Sequence, residues 1–437
     1  MANKLKLVSN TRIYLDARKL LDEILDITPN FPRAYKYTIG SKMHDLATED
    51  ILQAYFDCRK NKRSTASATV YEMDYETQLI ELRDRINART YTPGKSICFV
   101  VTRPRYREVF AASFEDRIVH HYIANKLEPL FEKIFSPRTF NCRKGKGQLY
   151  GLEMLKNDIR ECSENYKKDC YILKLDLKGF FMSIYRAMLA DMVDRFIVEN
   201  YEGDDKEELR FVCRVVILHE PEFNCERHSP ITFWNHLPPN KSLFTNGRGY
   251  GVAIGNLFAQ LFANFLLNAL DWFLDELGIK YHGRYVDDFY MIHTDKNVLL
   301  AAIPKIREKL AEFKLRINEK KFYLQYYRKG VEFTGAVVKP HRVYACNRSI
   351  NNFAGAVGKL NKAKGIEEIE KAVSSVNSYL GLLGHYNEYK TRRRIIKKIK
   401  PGVMEFLDLK GDYRSIAIKK EFQRRTIIKQ RIRDGDY

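Results

Sequence analysis

Apolar residues recur at helical spacing from Leu15 to Leu25 and from Ile39 to Cys58, with a turn around Pro29 and Pro32 between them. The start of the chain therefore predicts two helices. A basic hinge from Arg59 to Arg63 follows, and the helical period returns from Val70 to Ala88 before stopping at Tyr91-Thr92-Pro93-Gly94. Ile97 to Val101 alternates as a strand does, and Phe114 to Phe135 has the pattern of a long amphipathic helix. Phe140 to Gly147 is a glycine-punctuated basic loop, and Tyr171 to Asp176 is an apolar strand ending in an acid. The stretch 195–250, with Pro221, Pro230, Pro238 and Pro239, reads as irregular, and Leu257 to Leu277 as a strongly apolar helix. Ile279 to His293 reads strand, turn, strand, with Asp287-Asp288 where the turn should fall. Beyond Lys339 the pattern is helical and increasingly basic.

The chain has 437 residues, enough for a sizeable core divided among roughly two to four lobes. Its formal net charge of +20 points to a polyanionic partner, because Lys and Arg that neutralise phosphates release condensed counterions. Charge alone does not separate nucleic acid from acidic lipid or protein. No run of about 18 uncharged apolar residues occurs, and the N-terminus lacks a secretory pattern, so no membrane association and a cytoplasmic location are expected. The eight cysteines are scattered with no CxxC pair; Cys213 and Cys225 with His219 and His228 form a loose cluster whose spacing fits no standard zinc site. Reduced thiols are the expectation.

Asp176 at a strand end and Asp287-Asp288 in a hairpin turn can meet on one sheet edge if their strands are neighbours. Acids set between apolar strand halves repel one another and lose hydration unless a cation compensates. Two shared divalent cations are what nucleotide addition requires, one acting on the attacking hydroxyl and one on the triphosphate. Taken alone, Asp-Asp in a turn is usually structural.

The surrounding residues carry a resemblance. Leu175-Asp176-Leu177-Lys178-Gly179-Phe180-Phe181 resembles the first catalytic motif of reverse transcriptases, and Tyr285-Val286-Asp287-Asp288 resembles their second. Between them, Gly251 to Gln260, with Ala253-Ile254-Gly255-Asn256, is similar to the motif that contacts the incoming nucleotide and template. Leu315 to Lys321 and the primer-grip-like Glu332-Phe333-Thr334-Gly335 continue the series, which spans roughly residues 63 to 400. The resemblance implies an α+β right-hand polymerase: an N-terminal helical hairpin over 1–62, fingers over 63–170, a palm with an antiparallel sheet over 171–338 that contains the 195–250 insertion, and a basic helical thumb and tail over 339–437.

It also implies roles. Asp176, Asp287 and Asp288 would be catalytic and hold two Mg²⁺ ions, with Mn²⁺ as the alternative. Phe181 would exclude a ribose 2′-hydroxyl, and Arg107, with Arg103 or Arg105, would neutralise the triphosphate. Ile254, Gly255 and Gln260 would line the nucleotide pocket. Lys320 or Lys321 would protonate the leaving pyrophosphate. Arg143, Lys144, Tyr285, Phe333 and Gly335 would contact template or primer. Where many relatives carry Pro-Gln-Gly this chain has Ala253-Ile254-Gly255, which removes polar contacts to the nucleotide and implies loose base selection.

Phe114 to His121, Pro239 to Phe244 and Ile254 to Leu257 with Gln260 resemble two bacterial groups, the enzymes of diversity-generating retroelements and the defence-associated reverse transcriptases. Both copy a dedicated structured RNA, so the resemblance implies a noncoding RNA template as partner, together with dNTPs and a DNA or RNA primer, although a protein primer is left open. Phe258-Ala259, where the retroelement enzymes carry Thr-Ser, tilts the reading toward antiphage defence. Asn30 to Gly40 pulls the other way, since it resembles the four-helix accessory protein of the retroelements. Residues 1–62 would then seek partner helices within this chain, on a second copy or on an accessory protein; the other reading is a plain hairpin packed on the fingers. A scaffold that binds RNA without catalysis is the rival of another class. Ser378 to Lys390, followed by Arg392-Arg393-Arg394, resembles the thumb of the same groups, with a basic, Tyr-interleaved surface suited to duplex and RNA.

Overall fold

The computed structural model describes residues 48–60, 66–103 and 105–422. The helix expected over Leu15 to Leu25, the turn at Pro29 and Pro32, the accessory-like Asn30 to Gly40 and the tail beyond 422 lie outside them. The described chain forms two compact units, each assembled from segments distant in sequence.

The first unit takes in the described residues up to Phe135, then Gly179–Leu266 and Phe313–Leu315. Helices Thr48–Arg59, Ala66–Glu72 and Tyr75–Asn87 precede a hairpin of Ser96–Val101 and Arg107–Ala111. The expected single helix from Val70 breaks at Met73-Asp74. Helix Phe114–Ile134 begins at Ser113, whose side chain accepts the Asp116 N–H and so satisfies one of the first-turn donors. Its buried Asp116 accepts from the Tyr91 hydroxyl at 2.7 Å and from the Gly94 amide, which ties the turn at Pro93-Gly94 to the helix start.

The 195–250 stretch is only partly irregular. Helices Arg186–Asn200 and Lys206–Leu218 occupy its first half, the second burying Leu209, Val212, Cys213, Val216 and Ile217 at helical spacing. The prolines that suggested irregularity all lie beyond, in short 3₁₀ turns from Pro221 to Thr245. Strand Cys225–Arg227 of this segment pairs parallel with Ser96–Val101. Buried Glu108 fastens the rest, accepting from Trp234 Nε1, Ser242 Oγ and the Leu243 amide, each at 2.7 Å. Three donors on one carboxylate offset the cost of burying its charge.

The second unit takes in Ser136–Lys178, Leu267–Glu312 and the residues from Arg316. Its centre is a four-stranded antiparallel sheet in the order Tyr281–Tyr285, Asp288–His293, Tyr171–Asp176, Tyr323–Tyr326. The two inner strands are the most apolar, as strands covered on both faces must be. Helix Gln148–Cys162 contributes Leu152, Leu155 and Ile159 to a core that also holds Ile172, Tyr290, Phe333 and Phe353. A three-stranded sheet of Val331–Phe333, Ala336–Lys339 and Arg342–Ala345 leads to helices Asn347–Leu360, Ile366–Gly384 and Tyr389–Ile396. The C-terminal region is not wholly helical, since Leu407–Lys410 and Ser415–Ile418 form a hairpin. Asp412 and Tyr413 accept positive φ in its turn beside Gly411, chemistry that a helical period does not reveal.

Helix Leu257–Glu276 is long and apolar enough to cross a membrane, but 67% of its most apolar window is buried inside the fold. It is a core helix here.

Candidate active site

The site grows from the register of the central sheet. Asp176, the last residue of its strand, lies opposite Asp288, the first of the neighbouring strand. Tyr285 pairs with Asp288 on the other side, leaving Val286 and Asp287 as a two-residue turn. The turn therefore falls one residue earlier than expected, and Asp288 belongs to the strand. Strand order alone brings the three acids to one sheet end. Leu177 N donates to the Asp287 carbonyl at 3.2 Å, joining the two chain segments just beyond the acids.

Burial and mutual repulsion set the electrostatics. Burial, then the nearby charge of Asp176, push the Asp287 carboxyl up to about 6. Asp288 is also held above the usual carboxylate range by burial, although Lys174 Nζ lies 2.9 Å from it; loss of hydration outweighs that attraction. Asp176 accepts from Lys321 Nζ at 2.5 Å and from Asn318 Nδ2 at 3.0 Å. Asn318 N also donates to the Asp176 carbonyl at 2.7 Å, which fixes the Asn318 to Lys321 turn beside the acid. Two of the three carboxylates thus face lysines. Among the described residues no three His, Cys, Asp or Glu side chains close into a ready ligand shell. The donor set nonetheless suits hard divalent cations: carboxylate oxygens, crowded and partly dehydrated, whose charge is only partly balanced by ammonium groups.

Other expected site residues divide between the units. In the first unit, Phe181 and the nucleotide-pocket motif run side by side. Val252 N donates to the Phe181 carbonyl and Gly251 N to that of Ile184, both at 2.8 Å. The Ile254 carbonyl in turn accepts from Phe110 N at 2.9 Å. Gly255 is required there, because φ is +120° and a Cβ would lie 2.9 Å from the Phe110 carbonyl oxygen. The half-buried Gln260 follows in the first turn of its helix. Arg107 is exposed and pairs with Val101 at the loop end of the hairpin, where Arg103 and Arg105 in the connecting loop are exposed too.

In the second unit three assignments change. Arg143 is buried, and its Nη1 donates to the Ser136 and Thr139 carbonyls at 2.6 and 3.2 Å, so it ties down its own loop while Lys144 beside it is exposed. Phe333 is fully buried against Tyr290, a core residue rather than a primer contact, and Gly335 with Thr334 forms the turn after it. Lys321, not Lys320, reaches the acids. Tyr285 stays half-buried beside the turn. Residues that motif reading did not assign are Lys174, Asn318, Asn141, Asp271 and Arg284. Lys174 alone had a visible signal, since it stands two positions before Asp176 and so on the same strand face.

The model of the family "Reverse transcriptase (RNA-dependent DNA polymerase)" matches residues 102–338, more than half of the chain. The chain belongs to the reverse transcriptase family. A solved structure of apo telomerase from Candida tropicalis is similar at 13% identity and a TM-score of 0.44, over 72% of this chain and 57% of that one. This chain thus spans little more than half the length of that protein. No curated protein sequence matches it.

Proposed function

We propose that the chain is an RNA-directed DNA polymerase that adds deoxynucleotides to a primer at Asp176, Asp287 and Asp288. The observation that carries this reading is the register pair of Asp176 with Asp288, with Asp287 in the adjoining turn, in a chain of the reverse transcriptase family. The three carboxylates would hold Mg²⁺ or Mn²⁺, which when bound lower the pKa of the primer hydroxyl and neutralise the triphosphate. The chain's own groups do the rest. Lys321 stands beside Asp176 as the proton donor for departing pyrophosphate, Phe181 blocks a 2′-hydroxyl, and the exposed guanidiniums of Arg103, Arg105 and Arg107 meet the triphosphate charge.

The template proposed is a dedicated structured noncoding RNA, and the setting antiphage defence, supported by Phe258-Ala259 in the pocket helix. Diversification of a target gene by a retroelement is the second setting, supported by Asn30 to Gly40. An RNA-binding scaffold without catalysis is the reading of another class, and the lysines facing Asp176 and Asp288 favour it. Sequencing the nucleic acid that copurifies with the wild type and with Asp287→Asn separates these. One recurrent RNA with cDNA copied from it, the cDNA missing from the variant, is expected. The same RNA with no cDNA in either preparation favours the scaffold. Phe181→Ala should raise ribonucleotide use, and an unchanged dNTP preference would remove Phe181 from the sugar gate.

A further inference from the structure

The turn that carries the acids has an unusual backbone. Val286 has φ of +59° while Asp287 does not share that sign, the pattern of a type II′ hairpin turn, whose first position ordinarily takes glycine. A β-branched residue there is strained and persists only where its surroundings over-determine it. Those surroundings are all in the second unit. Asn141 Oδ1 accepts the Val286 amide at 2.9 Å. Arg284 Nη1 donates to the Val286 carbonyl at 3.0 Å. Both peptide groups of the strained residue are thereby taken.

The two groups that grip the turn are themselves fixed. Arg284 is 1% exposed, and its Nε and Nη2 donate to the two oxygens of equally buried Asp271 at 2.8 and 2.6 Å. The Thr139 hydroxyl donates to Asp271 Oδ2 at 2.6 Å. Thr139 makes an isolated parallel bridge to Arg284, with Arg284 N donating to the Arg138 carbonyl and Phe140 N to the Arg284 carbonyl. Phe140 wedges against Gly283 and Gly151, where a Cβ would come within 2.5 and 2.8 Å of its ring. Arg143 closes the same loop from inside.

We propose that Asn141, Arg284, Asp271 and Thr139 form a clamp that holds Val286 in its left-handed conformation and so aims Asp287 and Asp288. These are positioning residues; their effect on turnover rests on the polymerase reading, whereas their effect on cation binding does not. A buried ion pair and an asparagine serve here to impose one backbone conformation, and the loop 136–147 acts through the hairpin rather than through Arg143 touching a template.

A double-mutant cycle tests this in the full-length protein, with Asn141→Ala, Val286→Gly and their combination. Mn²⁺ binding is read by electron paramagnetic resonance and dNTP incorporation by kcat and KM separately. Loss of the amide's acceptor should weaken Mn²⁺ binding and lower kcat roughly tenfold, with KM for dNTP changed less than about twofold. In the Val286→Gly background the same change should cost less than about threefold, because glycine adopts positive φ unaided. Thr139→Val, which keeps the shape and removes the hydroxyl, repeats the cycle if Asn141→Ala fails to fold. An equal cost in both backgrounds, or Mn²⁺ binding and kcat within twofold of wild type, overturns the clamp. If the wild type binds Mn²⁺ but extends no primer, the polymerase reading fails and the clamp is judged on binding alone.

Discussion

Two tight turns in the second unit solve the same steric problem differently. Between Phe333 and Ala336, Thr334 and Gly335 both take positive φ, +46° and +88°, the pattern of a type I′ turn with glycine at its second position. Between Tyr285 and Asp288, Val286 takes +59° with no glycine in the turn. The first turn is mostly a local matter, helped by one side-chain contact from Gln148 to the Thr334 carbonyl. The second is imposed by the side chain of Asn141, far away in sequence, and by neighbouring Arg284, which Asp271 on the preceding helix anchors. Two acids that burial and repulsion drive away from their charged forms sit on the imposed turn, and none on the local one. Strain of this kind is kept where direction matters.

The sharpest way to break the contrast is to remove charge from the imposed turn. Asp287→Asn should reduce primer extension about a thousandfold while the protein stays folded, since a neutral amide is a poor ligand for a hard cation. Extension within tenfold of wild type would take Asp287 out of the site. Next comes the anchor: Asp271→Ala leaves the Arg284 charge buried without its partner and should cost roughly 3 to 5 kcal/mol in denaturant unfolding. A loss under about 1 kcal/mol would mean the pair does not hold the hairpin. A matched pair of substitutions then compares the turns directly. Gly335→Ala should destabilise by about 1 to 2 kcal/mol, because alanine resists φ near +88°. Val286→Gly should change stability by less than about 1 kcal/mol, relief of strain offsetting the added freedom of the unfolded chain. Equal losses at both sites would erase the distinction drawn here.

The smallest effect belongs to a region outside both turns. Burial lowers the His120 imidazole to about 3, so the folded chain keeps it neutral where the unfolded chain takes up a proton near 6.5. Between those values the unfolded state binds more protons, and stability falls as pH drops, by at most about 1.4 kcal/mol per unit. The wild type should therefore lose more stability than His120→Asn between pH 6.5 and 5.5. Parallel pH curves for the two would show that His120 is protonated in place.

Legibility in the sequence followed the same divide between local and imposed structure. Tyr171 to Asp176 and Asp288 to His293 could be read because inner strands need continuous apolar runs, and the acids at their ends interrupt those runs conspicuously. Helices Phe114–Ile134 and Leu257–Glu276 carried clear periodicity, whereas Lys206–Leu218 was obscured by the prolines beyond it. Partners of the turn were not legible. Arg284, Asp271 and Thr139 are charged or polar residues that a single sequence reads as surface, and only folding brings them together inside the protein. Arg143 misled for the same reason: a basic residue among glycines looks like a phosphate contact until its guanidinium is found on its own loop's carbonyls. Phe333 likewise belongs to a recognisable motif while its ring belongs to the core.

Whether the Asp176, Asp287 and Asp288 sheet end polymerises DNA on RNA is decided by extension of an annealed primer on an RNA template by the purified full-length protein with dNTPs and Mg²⁺, beside Asp176→Asn and Asp287→Asn. Templated extension by the wild type and none by either variant is expected. Extension that survives in the variants, or a folded wild type that extends no primer on any RNA, including the RNA that copurifies with it, would rule out polymerisation at these three carboxylates.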